Sequence, residues 1–99
     1  MHITREDIIL KIRAHSREMA AFGVRRLALF GSVARGEDSP DSDVDVLVAF
    51  DGQTTFDQYF DLKFWLEDML GRPVDLVAEK ALRPEMAPEV NREALHIAP

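Results

Sequence analysis

Two aspartates stand two positions apart in a valine-rich stretch, and this spacing could support metal chemistry. Residues 43–50 read DVDVLVAF. In a β-strand alternate side chains project from one face, so the carboxylates of Asp43 and Asp45 lie roughly 7 Å apart along the strand. Aspartate is depleted in strands, and two neighbouring negative charges repel each other. A divalent cation would offset that repulsion, and Mg²⁺ prefers oxygen ligands of this kind.

A solvated sheet face is the simpler interpretation of such a pair when it stands alone. A third aspartate, Asp75, lies between apolar residues in the stretch VDLV, residues 74–77. If that stretch forms a strand beside residues 43–47, the three carboxylates converge. Two metal ions sharing such a cluster would stabilise the attacking and the leaving oxygens of an in-line phosphoryl transfer. Taken alone, Asp75 would be an ordinary surface residue.

Gly31 and Ser32 follow a short apolar run, at a position typical of a phosphate-binding turn. Glycine lets the backbone approach a phosphate closely, and N–H groups and a hydroxyl at the start of a helix bind anions. Arg35 lies three residues further on, and its guanidinium could bind a phosphate through two hydrogen bonds. The alternatives are an ordinary turn and a surface arginine paired with Glu37 or Asp38.

The span from Gly31 to Asp45 reads GSVARGEDSPDSDVD, with ten residues between Gly-Ser and Asp-x-Asp. With SDVDVLV and GRPVDLV, it closely resembles the signature of the DNA polymerase beta-like nucleotidyltransferases. The small size resembles their minimal nucleotidyltransferase (MNT) branch, the antitoxin partner in HEPN/MNT toxin–antitoxin pairs. The resemblance covers nearly the whole chain. It implies one α/β (α+β) domain over residues 1–99, a small mixed β-sheet with helices packed on one face.

The resemblance also implies a role for each matching residue. Gly31 and Ser32 would hold the β- and γ-phosphates of a nucleoside triphosphate, and Asp43 and Asp45 would bind two Mg²⁺ ions. Asp75 would complete one metal site and help to deprotonate the attacking hydroxyl. That hydroxyl would attack the α-phosphorus, and pyrophosphate would leave in line.

The resemblance further implies ATP as the nucleotide and a tyrosine of a HEPN ribonuclease toxin as the acceptor, so that adenylylation silences the toxin. Arg35, inside the motif, is a further candidate for nucleotide binding. Larger relatives carry an additional domain for their substrate, so a chain of 99 residues is expected to share its acceptor site with a partner. Two alternatives stay open: a non-enzymatic antitoxin that blocks a helical partner by binding, and an adenylyltransferase of small molecules.

Composition argues against several other classes of protein. With 12 basic and 18 acidic residues, the formal net charge of −6 does not suit a protein that grips duplex nucleic acid. The absence of cysteine excludes thiolate chemistry and disulfides, and it fits a reducing compartment, so a cytoplasmic location is expected. The apolar runs are too short to span a membrane, and the N-terminus lacks the pattern of a signal peptide.

Periodicity predicts the elements that position these residues. Thr4 and Asp7 resemble a capping box at the start of the first helix. Val44, Val46 and Val48 are expected on the buried face of the second strand, opposite the aspartates. The predicted strands are residues 26–30, 43–50 and 74–77, and the predicted helices are residues 5–21, 54–71 and 84–95.

The predicted helix over residues 54–71 contains five of the eight aromatic residues. Helical spacing places one arc in the core, made of Tyr59, Leu62, Leu66, Met69 and Leu70 together with Phe56 and Phe60. Trp65 falls on the opposite stripe and is a candidate anchor for a partner. The alternative is that the chain's own C-terminal segment covers Trp65.

Overall fold

The computed structural model describes residues 3–39 and 41–98, and a four-stranded mixed sheet lies at its centre. The strands are β1 (Val24–Phe30), β2 (Val44–Phe50), β3 (Val74–Ala78) and β4 (Leu95–Ala98), in the order β3-β2-β1-β4. β2 runs parallel to β3 and antiparallel to β1, and β1 runs antiparallel to β4. This mixed sheet confirms the predicted fold class.

The helices are α1 (Arg5–Ala14), α2 (Ser16–Ala21), α3 (Gly31–Arg35), α4 (Phe56–Leu70) and α5 (Ala87–Glu93), with a 3₁₀ turn at Glu79–Ala81. The predicted helix over residues 5–21 is therefore two helices, divided at His15. The His15 ring nitrogen Nδ1 lies 2.7 Å from the Lys11 carbonyl oxygen, while the backbone N–H of His15 donates to Ile12 instead. The side chain thus occupies the carbonyl that the next helical bond would use.

Capping residues fix the starts of α1 and α4. The Thr4 hydroxyl accepts from the backbone N–H of Asp7, and the Asp7 side chain accepts from Thr4, as the capping box predicts. Thr55 and Gln58 form the same arrangement before α4, which ends at Gly71 in a left-handed conformation. The crossover helix between the two parallel strands is thus defined at both ends.

One face of the sheet forms the main core. Val44, Val46 and Val48 are fully buried, as predicted for the face opposite the aspartates. They pack with apolar residues of α1 and α4, namely Ile8, Ile12, Leu62 and Leu66. The other face carries a smaller cluster in which Val90 of α5 packs with Ala28 and Leu47. α5 therefore covers part of the face from which Asp45 projects.

The C-terminal segment differs from the prediction. The helix predicted over residues 84–95 spans only Ala87–Glu93, with Pro88 in its first turn as expected. Ala94 leaves the helix with an extended backbone, and the chain continues as β4 beside β1, a strand that the sequence analysis does not predict. No helix within the described part of the chain is long and apolar enough to cross a membrane.

Candidate active site

Strand register brings the predicted aspartates to one end of the sheet. Asp45 is paired with Asp75 across the parallel strands β2 and β3, and with Phe30 across β1. Asp43 lies immediately before β2, two residues from Asp45 and on the same side of the strand. Asp43 and Asp75 are exposed, and Asp45 is half-buried. The structure thus supplies the pairing on which the predicted convergence of the carboxylates depended.

The electrostatics of Asp45 show that the site holds excess negative charge. Burial, followed by the nearby negative charges of Asp75 and Asp43, raises the pKa of Asp45 from 3.8 to about 6. The positive charge of Arg35 acts against this shift, although it does not cancel it. A cation bound among these carboxylates would relieve the repulsion.

Gly31 begins α3 directly after β1, and it lies against the Asp45 side chain. Its φ of +70° is in the left-handed region, which favours glycine. A Cβ atom at this position would lie 3.0 Å from Cγ of Asp45 and closer still to Oδ2. Any side chain here would therefore fill the space next to the carboxylate. The missing Cβ leaves a small open cradle between the turn and Asp45.

The donor set fits a hard divalent cation whose coordination is completed from outside the protein. Asp43, Asp45 and Asp75 offer only carboxylate oxygens, the ligands that Mg²⁺ takes. Within residues 3–39 and 41–98, no three acidic or histidine side chains are arranged to hold a metal ion by themselves. Mg²⁺ usually keeps several water ligands and binds substrate phosphates as well, so an incomplete protein cage suits it.

Arg35 and Ser32 lie beside this cradle. The Arg35 guanidinium forms ion pairs of 3.0 Å with Glu37 and with Glu93 of α5. The pairing with Glu37 is the alternative that the sequence left open, whereas Glu93 was not foreseen. Ser32 is half-buried, and its carbonyl oxygen accepts from the N–H of Glu37. Arg35 would have to exchange a carboxylate partner before it could bind a phosphate.

Asp38, the other carboxylate considered for Arg35, instead pairs with Arg72. The distance between Arg72 Nη1 and Asp38 Oδ2 is 3.0 Å, and both side chains are buried. Sequence reasoning does not single out Arg72, because an arginine after a helix-ending glycine is usually exposed. The motif GRPVDLV contains it, but only the fold shows that the loop before Asp43 closes over it.

The aromatic residues of α4 are arranged differently from the prediction. Trp65 is half-buried against Phe22 and His15, with ring centroids 5.3 and 5.8 Å away. Rings of the N-terminal helical segment thus cover part of Trp65. Phe56, predicted in the core arc, is 77% exposed, and Phe64 is 55% exposed. Together with Phe60 they recur every four residues and form a stripe beside the buried leucines.

A cavity of about 690 Å³ lies at the opposite end of the strands and includes none of the three aspartates. Its lining residues come from the start of β1, the end of β2 and the 3₁₀ turn, and include Arg25, Arg26, Phe50 and Lys80. The aspartate site is therefore separate from this cavity.

Comparison with known proteins identifies relatives that cover nearly the whole chain. Residues 10–97 match the family model of the nucleotidyltransferase domain. The protein adenylyltransferase MntA of Thermococcus cleftensis is 40% identical over 96 residues, which cover 96% of this chain and 97% of the relative. A solved structure described as a proposed minimal nucleotidyltransferase has a TM-score of 0.85 and 41% identity, covering 95% of this chain and 96% of that one.

A more distant likeness extends to a toxin–antitoxin complex. In the structure of the tri-AMPylated Shewanella oneidensis HEPN toxin with MNT antitoxin, the matching chain has a TM-score of 0.69 at 19% identity. The match covers 95% of this chain and 71% of that one, and at this identity it shows the fold alone. The match to the family model and the similarity to relatives of nearly equal length show that the chain is a nucleotidyltransferase. The chain belongs to the nucleotidyltransferase domain family, within its minimal nucleotidyltransferases.

Proposed function

We propose that this chain transfers AMP from ATP to a hydroxyl of a HEPN-type toxin, with tyrosine as the acceptor, and thereby acts as its antitoxin. The observation that carries the proposal is the pairing of Asp45 with Asp75 beside the open cradle at Gly31. Support comes from a relative of nearly equal length that is named a protein adenylyltransferase. A cytoplasmic location is part of the proposal, and a sequence without cysteine is compatible with such a reducing compartment.

Two Mg²⁺ ions fit the proposal, held by Asp43, Asp45 and Asp75. When bound, they would supply positive charge that neutralises the triphosphate and stabilises the leaving pyrophosphate. Gly31 contributes by having no side chain, so that a phosphate can come close to the backbone next to Asp45. Ser32 follows it at the start of α3 and offers a hydroxyl to the same phosphates.

The transfer forms one bond and breaks another at the α-phosphorus. The acceptor oxygen bonds to that phosphorus, and the bond from phosphorus to the β-phosphate oxygen breaks, so that pyrophosphate leaves with the electron pair. The proton of the acceptor hydroxyl passes to a carboxylate, a role that falls to Asp75. Asp75 suits this role because it is exposed on the face where an acceptor would approach.

Intact mass spectrometry of a HEPN-type protein from the same organism tests the proposal. The protein is incubated with this chain, ATP and Mg²⁺, and the control is the double variant Asp43→Asn/Asp45→Asn, which removes charge while keeping side-chain shape. We expect the partner to gain one or more AMP units with the unmodified chain alone. Fragmentation then locates the acceptor residue.

Two other results would lead to different functions. Tight binding of the two proteins with no change of mass under any nucleotide would favour an antitoxin that blocks its partner by contact. AMP transfer to a small hydroxyl compound by the isolated chain would favour a small-molecule adenylyltransferase. Either result would contradict the proposed protein adenylyltransferase.

A further inference from the structure

Arg72 is a buried charged residue at the turn between α4 and β3, and it contacts the loop that precedes Asp43. Its side chain is 6% exposed, although arginine is almost never buried without partners. Arg72 lies three residues before Asp75 in sequence, and its guanidinium extends towards the segment before Asp43. A buried guanidinium at this position needs hydrogen-bond partners.

The guanidinium bonds to the loop before β2 at three places. Nη1 donates to the Asp38 carboxylate over 3.0 Å, and Nη2 donates to the carbonyl oxygens of Ser39 and Ser42 over 3.1 and 2.6 Å. Nη1 also lies 3.4 Å from the carbonyl oxygen of Ile3. Only a planar group with several fixed N–H donors can serve acceptors spread in this way.

These contacts end next to the candidate metal ligand Asp43. The carbonyl of Ser42 belongs to the peptide bond that joins Ser42 to Asp43, so the 2.6 Å bond holds the backbone at that point. On the other side of Asp43, the N–H of Val44 donates to the carbonyl of Pro73 over 2.9 Å, and Pro73 directly follows Arg72. Asp43 is thus held on both sides by neighbouring residues of one turn.

The link acts through geometry and not through charge at the carboxylates. The positive charge that opposes the rise in the pKa of Asp45 belongs to Arg35. The Arg72 guanidinium is directed at the loop, where backbone carbonyls and Asp38 surround it. Within the described residues, Nε of Arg72 is buried without a hydrogen-bond partner. The hydrogen bonds of this side chain to the loop are made by its two terminal nitrogens.

We propose that Arg72 is a positioning residue that fixes the backbone of the loop ending at Asp43 and so sets the placement of this carboxylate for nucleotide and metal. The inference rests on the proposed function. It predicts that the bonds to Ser39 and Ser42 matter for ligand binding, whereas the ion pair with Asp38 matters mainly for stability.

Two variants separate these contributions. Arg72→Lys keeps a positive charge but loses the planar group that reaches Asp38, Ser39 and Ser42 together. Asp38→Asn removes the ion pair and leaves both bonds to backbone carbonyls in place. Leu62→Ala is the matched control, since it destabilises the core on α4 without touching the loop. Arg72→Met is a second variant that keeps the length of the side chain and removes its charge.

The measurement is the rise in Tm with increasing concentration of Mg²⁺ and a non-hydrolysable ATP analogue. We expect Arg72→Lys and Arg72→Met to need at least tenfold more ligand for half of the maximal rise. Asp38→Asn and Leu62→Ala should stay within threefold of the unmodified chain, despite a lower Tm without ligand. A half-maximal concentration in Arg72→Lys within threefold of the unmodified chain would overturn the proposal.

Amide hydrogen exchange without nucleotide gives a readout that does not depend on the proposed function. Arg72→Lys should lose protection at the N–H groups of Ser42 and Val44, and Asp38→Asn should keep it. Unchanged protection in Arg72→Lys would refute the role of Arg72. If the protection changes as expected but no chain responds to Mg²⁺ and nucleotide, the proposed function fails while the placement of the loop by Arg72 stands.

Discussion

Replacing Gly31 by alanine tests the cradle next to Asp45 more directly than any other single change. The new Cβ would lie 3.0 Å from Cγ of Asp45 and closer to Oδ2, so the carboxylate must rotate away from the turn. The backbone φ of +70° adds strain, roughly 1–2 kcal/mol for a residue with a Cβ. Gly31→Ala should therefore lose both stability and the placement of one carboxylate.

Gly52→Ala separates these two effects. Gly52 has the same φ of +70°, but a Cβ there would meet nothing within 4 Å. Both variants should lose about 1–2 kcal/mol of stability. At about 4–8 °C per kcal/mol for a domain of this size, the Tm of each should fall by roughly 5–15 °C. The shared loss corresponds to backbone strain, and any further difference between the variants belongs to Asp45.

The ligand response distinguishes them. In the unmodified chain, Mg²⁺ and ATP at about 100 times the dissociation constant should add about 2.7 kcal/mol of stability, since they bind only the folded state. Gly52→Ala should keep this response. Gly31→Ala should need about 10–100 times more ligand, the loss typical of a disturbed metal ligand. Equal ligand responses in the two variants would refute the inference that Gly31 makes room for nucleotide beside Asp45.

Two further predictions concern charge and packing. Because the pKa of Asp45 is raised to about 6 from 3.8, the folded state binds more protons than the unfolded one between these values, and stability falls as the pH rises through this window. Without metal, Asp45→Asn should raise the free energy of unfolding at pH 7.5 by about 1 kcal/mol, a figure reduced for solvent screening because the group is half-exposed, and the Tm should rise accordingly. At pH 4 the variant should not raise the Tm. An unchanged Tm at pH 7.5 would contradict the inference that burial and the neighbouring carboxylates make the charge of Asp45 unfavourable in the folded state. Phe56→Ala should change the free energy of unfolding by less than about 0.5 kcal/mol, whereas Leu66→Ala should cost about 2–5 kcal/mol in urea denaturation. A large cost for Phe56→Ala would mean that the aromatic stripe is packed in the folded protein.

The elements that the sequence predicts correctly are those in which local signals and packing agree. The alternation of Val44, Val46 and Val48 identifies β2 and its buried face, and the capping pair of Thr4 and Asp7 identifies the start of α1. The short strand VDLV is likewise predicted from its own residues. These features depend on a few neighbouring residues, and a single sequence contains that information.

The features that the sequence does not predict depend on contacts between distant segments. β4 is four residues long and has no alternation of its own to mark it, so its place beside β1 appears only in the fold. Phe56 and Phe60 fit a core arc by spacing, but Phe56 is exposed and Phe60 is only half-buried, whereas the leucines of α4 are buried. The burial of Arg72 likewise requires a loop that lies thirty-odd residues earlier in the chain.

The arrangement of the site explains why its stabilising contacts lie outside it. Three carboxylates lie at one end of the sheet, and the pKa of the half-buried Asp45 is raised by its burial and by the charges of Asp75 and Asp43. The opposite face of the sheet carries fully buried valines and leucines. Their burial stabilises the fold and offsets the cost of a site that is itself unfavourable for folding. In the loop before Asp43, the carbonyl oxygens of Ser39 and Ser42 accept hydrogen bonds from Arg72, which holds the backbone at these two points. Removal of metal should therefore loosen this loop before the sheet, and loss of Arg72 should do so even with metal present.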